Sequence, residues 1–175
     1  MLKLFLPGEF VKNIFEITPQ KLKEQNIKGV ITDLDNTLVE WDRPNATPKL
    51  IKWFAEMKEH GIKVTIVSNN NEKRVSSFSQ PLKIPFIYKA RKPMGKAFRR
   101  AVKNMGLKKE EVVVIGDQLL TDVLGGNRNG FQTILVVPVA ATDGVVTRFN
   151  RQVERRIMQV FKRKGMLQWE DRDNE

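Results

Sequence analysis

The sequence predicts an α/β fold of three layers, in which helices cover both faces of a doubly wound parallel sheet. Between Val30 and Val137, short apolar runs typical of buried strands alternate with segments of helical periodicity. Such alternation favours right-handed crossovers and parallel strands, because each helix carries the chain back across the sheet. Several apolar runs also end in Asp or Ser, and ligands of open parallel sheets bind outside the carboxyl ends of the strands.

Length and composition are those of one domain over residues 1–175. The chain is 41% hydrophobic and 29% charged, with no cysteine and a single histidine. The absence of cysteine excludes disulfides and thiolate ligands and fits a cytoplasmic location. A single histidine argues against a zinc–histidine cluster or a serine–histidine relay. No apolar run reaches the length of about 18 residues that a membrane-spanning helix needs.

Residues 1–28 are predicted to form a helical lead-in to the core. Four apolar residues near the amino terminus fall on one helical face: Phe10, Val11, Ile14 and Phe15. Thr18 and Pro19 are residue types preferred at a helix N-cap and first turn, so they predict a short helix that continues to Gln25. The amino-terminal part is therefore expected to be helical up to the first strand.

The core is predicted at about residues 29–138, with five strands and four crossover helices. The apolar runs place strands at 30–33, 62–67, 85–88, 112–115 and 132–137. Helical periodicity, with proline near the start and glycine or proline near the end, places helices at 48–60, 71–80, 93–105 and 119–127. The two spacings between the first three strands each leave room for one crossover only, so no cap domain is expected.

A basic amphipathic helix is predicted at about residues 145–164. One helical face is apolar and consists of Val146, Phe149, Val153, Ile157 and Val160. Basic side chains occupy most of the other positions. This helix either packs on the domain or lies at an anionic membrane surface, and the sequence leaves both open. The net charge of +11, with nine bases and no acid in residues 89–109, indicates an anionic partner such as phosphate groups, RNA or a lipid surface.

Side chains that can carry out chemistry stand at the predicted strand ends. Asp33 and Asp35 end the first strand two residues apart, so they point the same way if the strand geometry continues. Two close carboxylates repel each other unless a cation is near or one is protonated. Other strand ends add Ser68, Lys92, Asp117 and Asp122. Such an oxygen-rich set without nitrogen ligands suits Mg²⁺ and a substrate phosphate.

This ordered set resembles the haloacid dehalogenase (HAD) superfamily of aspartate-nucleophile phosphatases, over about residues 29–138. It is carried by Asp33-Leu34-Asp35-Asn36-Thr37, Ser68, Lys92-Pro93 and the segment 116–122. Four elements in this order are specific, whereas one alone is a modest signal. Within the superfamily, the chain resembles subclass IIIA proteins of the YqeG-like group, which is similar to the phosphatidylglycerophosphate phosphatases of mitochondria. The resemblance implies a Rossmann-like HAD core.

The resemblance also implies distinct roles for the carboxylates. Asp33 would attack phosphorus and form an aspartyl-phosphate, and it would share an Mg²⁺ ion with Asp117. Asp35 would protonate the leaving oxygen and then deprotonate the hydrolytic water, while its backbone carbonyl contacts the metal. Asp122 would orient the metal shell or Lys92. A magnesium-dependent phosphomonoesterase is the function that follows.

The same resemblance implies how the phosphoryl group would be held. The hydroxyl of Ser68 and the backbone N–H groups of Asp35, Asn36 and Asn69 would donate to phosphoryl oxygens. Lys92 would neutralise charge on both the nucleophile and the transferring group. An open, uncapped cleft fits a large or membrane-associated substrate such as phosphatidylglycerophosphate. The alternative is a non-catalytic binding module that uses its basic surface on RNA or a ribosomal particle; the oligomeric state stays open.

Overall fold

A computed structural model describes residues 2–140 and 145–166, with side chains for 2–140 and 150–166. Six parallel strands form one sheet in the order β1-β6-β5-β2-β3-β4. The strands are β1 (Glu9–Val11), β2 (Gly29–Thr32), β3 (Lys63–Val67), β4 (Phe86–Ile87), β5 (Val112–Gly116) and β6 (Gln132–Val136). The predicted parallel α/β fold is thereby confirmed, with one additional strand.

Helices cover both faces of the sheet. The helices are α1 (Pro19–Glu24), α2 (Pro48–Glu59), α3 (Glu72–Ser79), α4 (Lys96–Met105), α5 (Leu124–Arg128) and α6 (Val145–Arg163). Apolar side chains of α1, α2 and α3 share one core with Val30, and those of α4 share a second core with Ile31. Adjacent residues of β2 thus face opposite layers, as the period of two in a strand requires. The result is the three-layer arrangement predicted from the alternating pattern.

The helix starts follow from local residue chemistry. The side chains of Thr18, Thr47 and Asn71 each accept a hydrogen bond from a backbone N–H in the first turn of α1, α2 and α3. These caps satisfy donors that would otherwise have no partner at a helix start. At its carboxyl end, α4 is followed by Gly106, which has φ 67°. In this left-handed conformation a side chain would clash with the backbone, and glycine has none.

The prediction of a helical face formed by Phe10, Val11, Ile14 and Phe15 was wrong. Glu9–Val11 forms β1, an edge strand that pairs in parallel with β6, and only Ile14–Glu16 forms a short 3-10 turn. The apolar spacing of Phe10, Val11 and Ile14 fits more than one structure, and pairing with β6 determines the outcome. The helix predicted after Thr18 is confirmed as α1.

Two further boundaries differ from the prediction. The helix expected to begin at Pro93 begins at Lys96, and residues 92–95 form turns. The helix expected over 119–127 starts as a wider π-helical turn, Leu119–Val123, before it continues as α5. Both differences lie at the carboxyl edge of the sheet, in the segments that carry Lys92 and Asp122.

The predicted carboxyl-terminal helix exists as α6, and its described part packs on the domain. Phe161 is fully buried, and Ile157 and Met158 pack against a small core around Leu119 and Leu135. Val146 and Phe149, which the apolar-face prediction includes, lie outside the residues whose side chains are described. In residues 2–140 and 145–166, no helix is both long enough and apolar enough to cross a membrane.

Candidate active site

The two central strands bring the first acids together at the carboxyl edge. β2 and β5 are neighbours, with Thr32 opposite Ile115, so Asp33 and Asp117 follow the ends of adjacent strands. The connection from β2 through α2 leads to β3, the neighbour of β2 on one side. The connection from β4 through α4 leads to β5, the neighbour of β2 on the other side. Such a reversal opens a crevice at the strand ends, where ligands bind in doubly wound folds.

Lys92 stands in the centre of this crevice. Its ammonium lies 3.0 Å from Asp33 Oδ1 and 2.6 Å from Asp122 Oδ1, and its side chain is 2% exposed. The side-chain amide of Asn69 holds the Lys92 backbone by accepting from its N–H (2.7 Å) and donating to its carbonyl (3.1 Å). Burial alone would lower the pKa of Lys92, but the neighbouring Asp122 and Asp33 carboxylates raise it. Lys92 is therefore a fixed positive charge in the crevice.

Three carboxylates form a compact cluster beside this lysine. Oxygen atoms of Asp33, Asp117 and Asp122 lie within 4.8 Å of one another, and all three residues are buried. Burial raises the pKa of Asp117 and Asp122, and the charge of Asp33 raises both further. The cluster thus carries more negative charge than its surroundings favour, which is the electrostatic condition for binding a cation.

Asp122 reaches the cluster because β5 ends in a glycine. A Cβ added at Gly116 would lie 2.1 Å from the Asp122 Cγ, so any larger residue would displace this carboxylate. The other Asp122 oxygen, Oδ2, accepts from the Gln118 backbone N–H at 3.2 Å. Its two oxygens are therefore held by Lys92 and by the turn after β5.

Asp35 points to a different set of partners. Its carboxylate accepts hydrogen bonds from the Asn70 amide (2.9 Å) and from Nε of Arg74 (3.0 Å). Burial is the largest cause of the raised pKa of Asp35. The hydrogen bond from Asn70 and the charge of Arg74 lower this pKa, and the negative charge of Asp33 raises it, so that the net direction is upward. A carboxyl group with a raised pKa at the mouth of a crevice suits proton donation.

Two of the residues expected to bind phosphate, Ser68 and Asn36, have different hydrogen-bond partners in the structure. Ser68 is buried at the end of β3, and its hydroxyl oxygen accepts from the Asn70 backbone N–H at 3.1 Å. Asn36 departs from the expectation, because its backbone N–H donates to the Val39 carbonyl at 2.7 Å and closes the turn after β2. That turn, with φ 61° at Asn36, uses the donor that the family resemblance assigned to phosphate.

Four residues of the site were not predicted as site residues. The Thr37 hydroxyl donates to Asp117 Oδ1 at 2.9 Å, and Asn70 and Arg74 contact Asp35. From α6, the guanidinium of Arg151 forms an ion pair with Asp117 and donates to its backbone carbonyl at 2.6 Å. Thr37 was visible in the motif at the end of β2, whereas Arg151 is one base among many in a basic helix.

Comparison with known proteins gives concordant matches. Residues 30–91 match the model of a haloacid dehalogenase-like hydrolase, and residues 89–143 match a HAD-hydrolase-like model. The chain is 80% identical over 169 residues to a probable phosphatase, YqeG, of Bacillus subtilis, with 97% of this chain and 98% of the relative covered. The relatives described here give no support to the alternative of an RNA- or ribosome-associated binding module.

More distant matches include a lipid phosphatase and a solved structure. A phosphatidylglycerophosphate phosphatase of Arabidopsis thaliana is 28% identical, and the match covers 92% of this chain but only 49% of the relative. The cobalt-bound deoxy-D-mannose-octulosonate 8-phosphate phosphatase of Haemophilus influenzae shares the fold, with a TM-score of 0.54, 19% identity and coverage of 73% and 77% of the two chains. From its near-complete match to the Bacillus relative, the chain belongs to the HAD-like phosphatases.

Proposed function

We propose that the chain hydrolyses phosphomonoesters through a phosphorylated Asp33 and requires Mg²⁺. The observation that carries the proposal is the buried cluster of Asp33, Asp117 and Asp122 around Lys92 at the carboxyl ends of β2 and β5. A nucleophilic carboxylate needs in-line positioning and charge neutralisation more than intrinsic strength, and Lys92 beside Asp33 supports charge neutralisation.

The donor set fits a hard divalent cation. The cluster offers carboxylate oxygens and no sulfur or imidazole nitrogen, which favours Mg²⁺ over the softer transition metals. Asp33 and Asp117 would hold the ion together with the backbone carbonyl of Asp35, while Asp122 keeps Lys92 in place. The bound ion would neutralise charge on the phosphoryl oxygens and on the attacking carboxylate.

In the first step, a carboxylate oxygen of Asp33 attacks phosphorus, and the bond between phosphorus and the ester oxygen breaks. The Lys92 ammonium, 3.0 Å from Asp33 Oδ1, balances negative charge on the nucleophile and on the transferring group. Asp35 gives its proton to the departing ester oxygen, so the alcohol leaves neutral. Ser68, whose oxygen already accepts from Asn70, would direct its hydroxyl hydrogen to a phosphoryl oxygen.

In the second step, the Asp35 carboxylate takes a proton from water as the water oxygen attacks phosphorus. The acyl-phosphate bond breaks, inorganic phosphate leaves, and both Asp33 and protonated Asp35 are restored. Asn70 and Arg74 hold the Asp35 carboxylate between the steps through hydrogen bonds of 2.9 and 3.0 Å. The backbone N–H of Asn69 remains a candidate phosphate donor, whereas the N–H of Asn36 is used inside its turn.

The substrate we propose is large or embedded in a membrane, with phosphatidylglycerophosphate as the leading candidate. The loops between β2 and β4, all within the described residues, contain only α2, α3 and short connections, so no cap closes the crevice from that side. The Arabidopsis relative bears the name of a phosphatidylglycerophosphate phosphatase, which supports a lipid phosphomonoester. Single-domain organisation over 1–175 is part of the same proposal.

Hydrolysis of an aryl phosphate with and without Mg²⁺ tests the proposal. We expect activity that depends on Mg²⁺ and a loss of at least about 10³-fold in Asp33→Asn, because the amide cannot attack phosphorus. Asp42→Asn is the matched control, since Asp42 is an exposed acid of the loop after β2 and should retain activity. Absence of hydrolysis on every phosphomonoester, lipid phosphates included, would refute the function.

A further inference from the structure

Exposed apolar side chains concentrate at the edge of the sheet that holds the site. In the part of the chain whose side chains are described, eight large apolar residues are exposed, and five belong to loops after the carboxyl ends of strands. We name these five the apolar rim: Trp41, Tyr88, Met94, Val137 and Val139. The other three are Leu2 and Leu4 before β1 and Ile51 on α2. The distribution is uneven, and large exposed apolar groups at one edge mark an interaction surface.

Backbone contacts connect the rim to the crevice. The N–H of Val139 donates to the carbonyl of Asn36 at 2.9 Å, in the turn that follows Asp35. Met94 is 62% exposed and stands two residues after Lys92. On the side of β4, Lys89, next to Tyr88, donates from its backbone N–H to the Asn70 carbonyl at 2.9 Å. Rim residues on the β4 and β6 sides are therefore next to residues of the proposed reaction.

The loop that carries Trp41 is tied to the site by Arg74. Its guanidinium, which contacts Asp35, also donates to the Arg43 carbonyl at 2.6 Å. Trp41 is 42% exposed although tryptophan carries a large apolar surface. Tryptophan and tyrosine are the aromatic residues enriched where protein meets the headgroup region of a bilayer, because each combines an apolar ring with a polar group.

Charges beside the rim have the sign that attracts anionic lipid. Lys12, Lys49, Lys89 and Arg91 are exposed at the same edge. Acids are present as well, and Glu40 is paired with Arg43 at 2.6 Å. The chain as a whole carries +11, so long-range attraction to an anionic surface adds to these local charges.

A groove lies between the rim and the crevice and shares residues with both. It has a volume of about 370 Å³, and its lining includes Val137, Val139 and Lys49 as well as Thr37, the residue that donates to Asp117. An apolar wall with a lysine beside it accommodates part of an amphiphile that has an anionic head. Thr37 therefore connects the apolar surface of the groove to the carboxylate cluster, because it lines the groove and donates to Asp117.

We propose that the apolar rim docks on an anionic lipid bilayer, with the crevice facing the headgroups. Side chains of this size enter the interface between headgroups and acyl chains, while the flanking lysines remain among the anionic headgroups. The membrane then covers the crevice, over which the described loops between β2 and β4 form no cap, and a lipid phosphomonoester meets Asp33 without leaving the bilayer. The lipid substrate in this inference rests on the proposed phosphatase function, whereas the docking itself does not require catalysis.

Sedimentation of the metal-free chain of 175 residues with vesicles tests the docking. Vesicles of phosphatidylcholine alone are compared with vesicles that also contain phosphatidylglycerol, at low and moderate salt. The test variant is Met94→Ser/Val137→Ser, and the matched control is Leu4→Ser/Ile51→Ser, which removes two exposed apolar groups elsewhere on the protein. We expect salt-sensitive binding to the anionic vesicles, about tenfold weaker in the rim variant and nearly unchanged in the control.

Several results would overturn the docking. They are no binding to anionic vesicles, equal binding to neutral vesicles, an equal loss in the control variant, or a dimer in gel filtration that the rim variant dissociates. Hydrolysis of an aryl phosphate by the same preparations separates the two proposals. Hydrolysis without vesicle binding refutes docking alone, and vesicle binding without any phosphomonoester hydrolysis refutes the phosphatase function alone.

Discussion

At the scale of single residues, the two acids of the first motif differ because their neighbours differ. The Lys92 ammonium lies 3.0 Å from Asp33 Oδ1, so the proposed nucleophile has a cation as its immediate neighbour. Asp35 has a raised pKa, for which burial is the largest cause and to which Asp33 contributes, although Asn70 and Arg74 act in the opposite direction. The sequence shows two equivalent aspartates, and the surrounding structure divides the proposed work between them.

The position of Arg74 predicts a shift in the pH dependence of kcat. As a general acid, Asp35 must be protonated, so activity falls as pH rises through its pKa. The Arg74 charge lowers that pKa, and Arg74→Gln removes this effect. The alkaline limb should therefore move to higher pH in the variant, together with a lower kcat because the carboxyl group is less well held.

A matched control for this shift is Lys73→Gln, an exposed base of the same helix, α3. Full pH profiles of kcat with an aryl phosphate are the measurement. A limb that moves to lower pH in Arg74→Gln, or moves equally in the control, would contradict the assignment of Asp35 as the acid.

At the scale of elements, α6 contributes directly to the site. Arg151 pairs with Asp117, donates at 3.1 Å to Glu154 on the same helix, and Glu154 accepts from the Leu120 backbone N–H at 3.1 Å. Glu154 itself is 5% exposed, and its hydrogen bonds link α6 to the turn after β5 in a partly buried position. The helix that the sequence identified only as basic and amphipathic therefore stabilises the loop of a proposed metal ligand.

This link predicts the effect of Arg151→Gln on stability. Without the guanidinium, the buried carboxylates of Asp117 and Glu154 lose a partly buried partner, so the metal-free variant should be less stable by about 3 kcal/mol. Mg²⁺ should stabilise the variant more than the wild type, because the ion no longer competes with a guanidinium for Asp117. Urea unfolding with and without Mg²⁺ measures both effects.

Arg155→Gln is the control on the same helix, since Arg155 is exposed. Equal destabilisation by the two substitutions would show that the ion pair with Asp117 contributes nothing specific. A smaller Mg²⁺ stabilisation in Arg151→Gln than in the wild type would contradict competition between the guanidinium and the ion.

At the scale of the whole molecule, the sequence predicts the core elements well because local signals agree with the tertiary fold. The crossover helices begin at residues with capping chemistry, such as Thr47 and Asn71, and the buried strands are continuous apolar runs. β1 was missed because three residues carry no period of their own and the strand exists through pairing with β6. A short edge strand of this kind depends on tertiary contacts.

In the candidate site, too, some residues could be predicted from local sequence signals and others depend on tertiary contacts. The positions of Asp33 and Asp117 were predictable because each directly follows a strand end and parallel strands end at one edge of the sheet, and Asp122 lies in the turn after β5. Arg74 and Arg151 were not, because their contacts with Asp35 and Asp117 depend on how α3 and α6 pack. The Asn36 N–H was assigned to phosphate because the sequence does not reveal the tight turn that uses it.

Direct trapping of a phosphorylated Asp33 tests the central claim. Borohydride added during steady-state hydrolysis reduces an aspartyl-phosphate to homoserine, which peptide mass spectrometry locates. We predict homoserine at position 33, dependent on substrate and Mg²⁺ and absent in Asp33→Asn. Steady hydrolysis without homoserine at this position, or with homoserine at position 35 instead, would contradict Asp33 as the nucleophile.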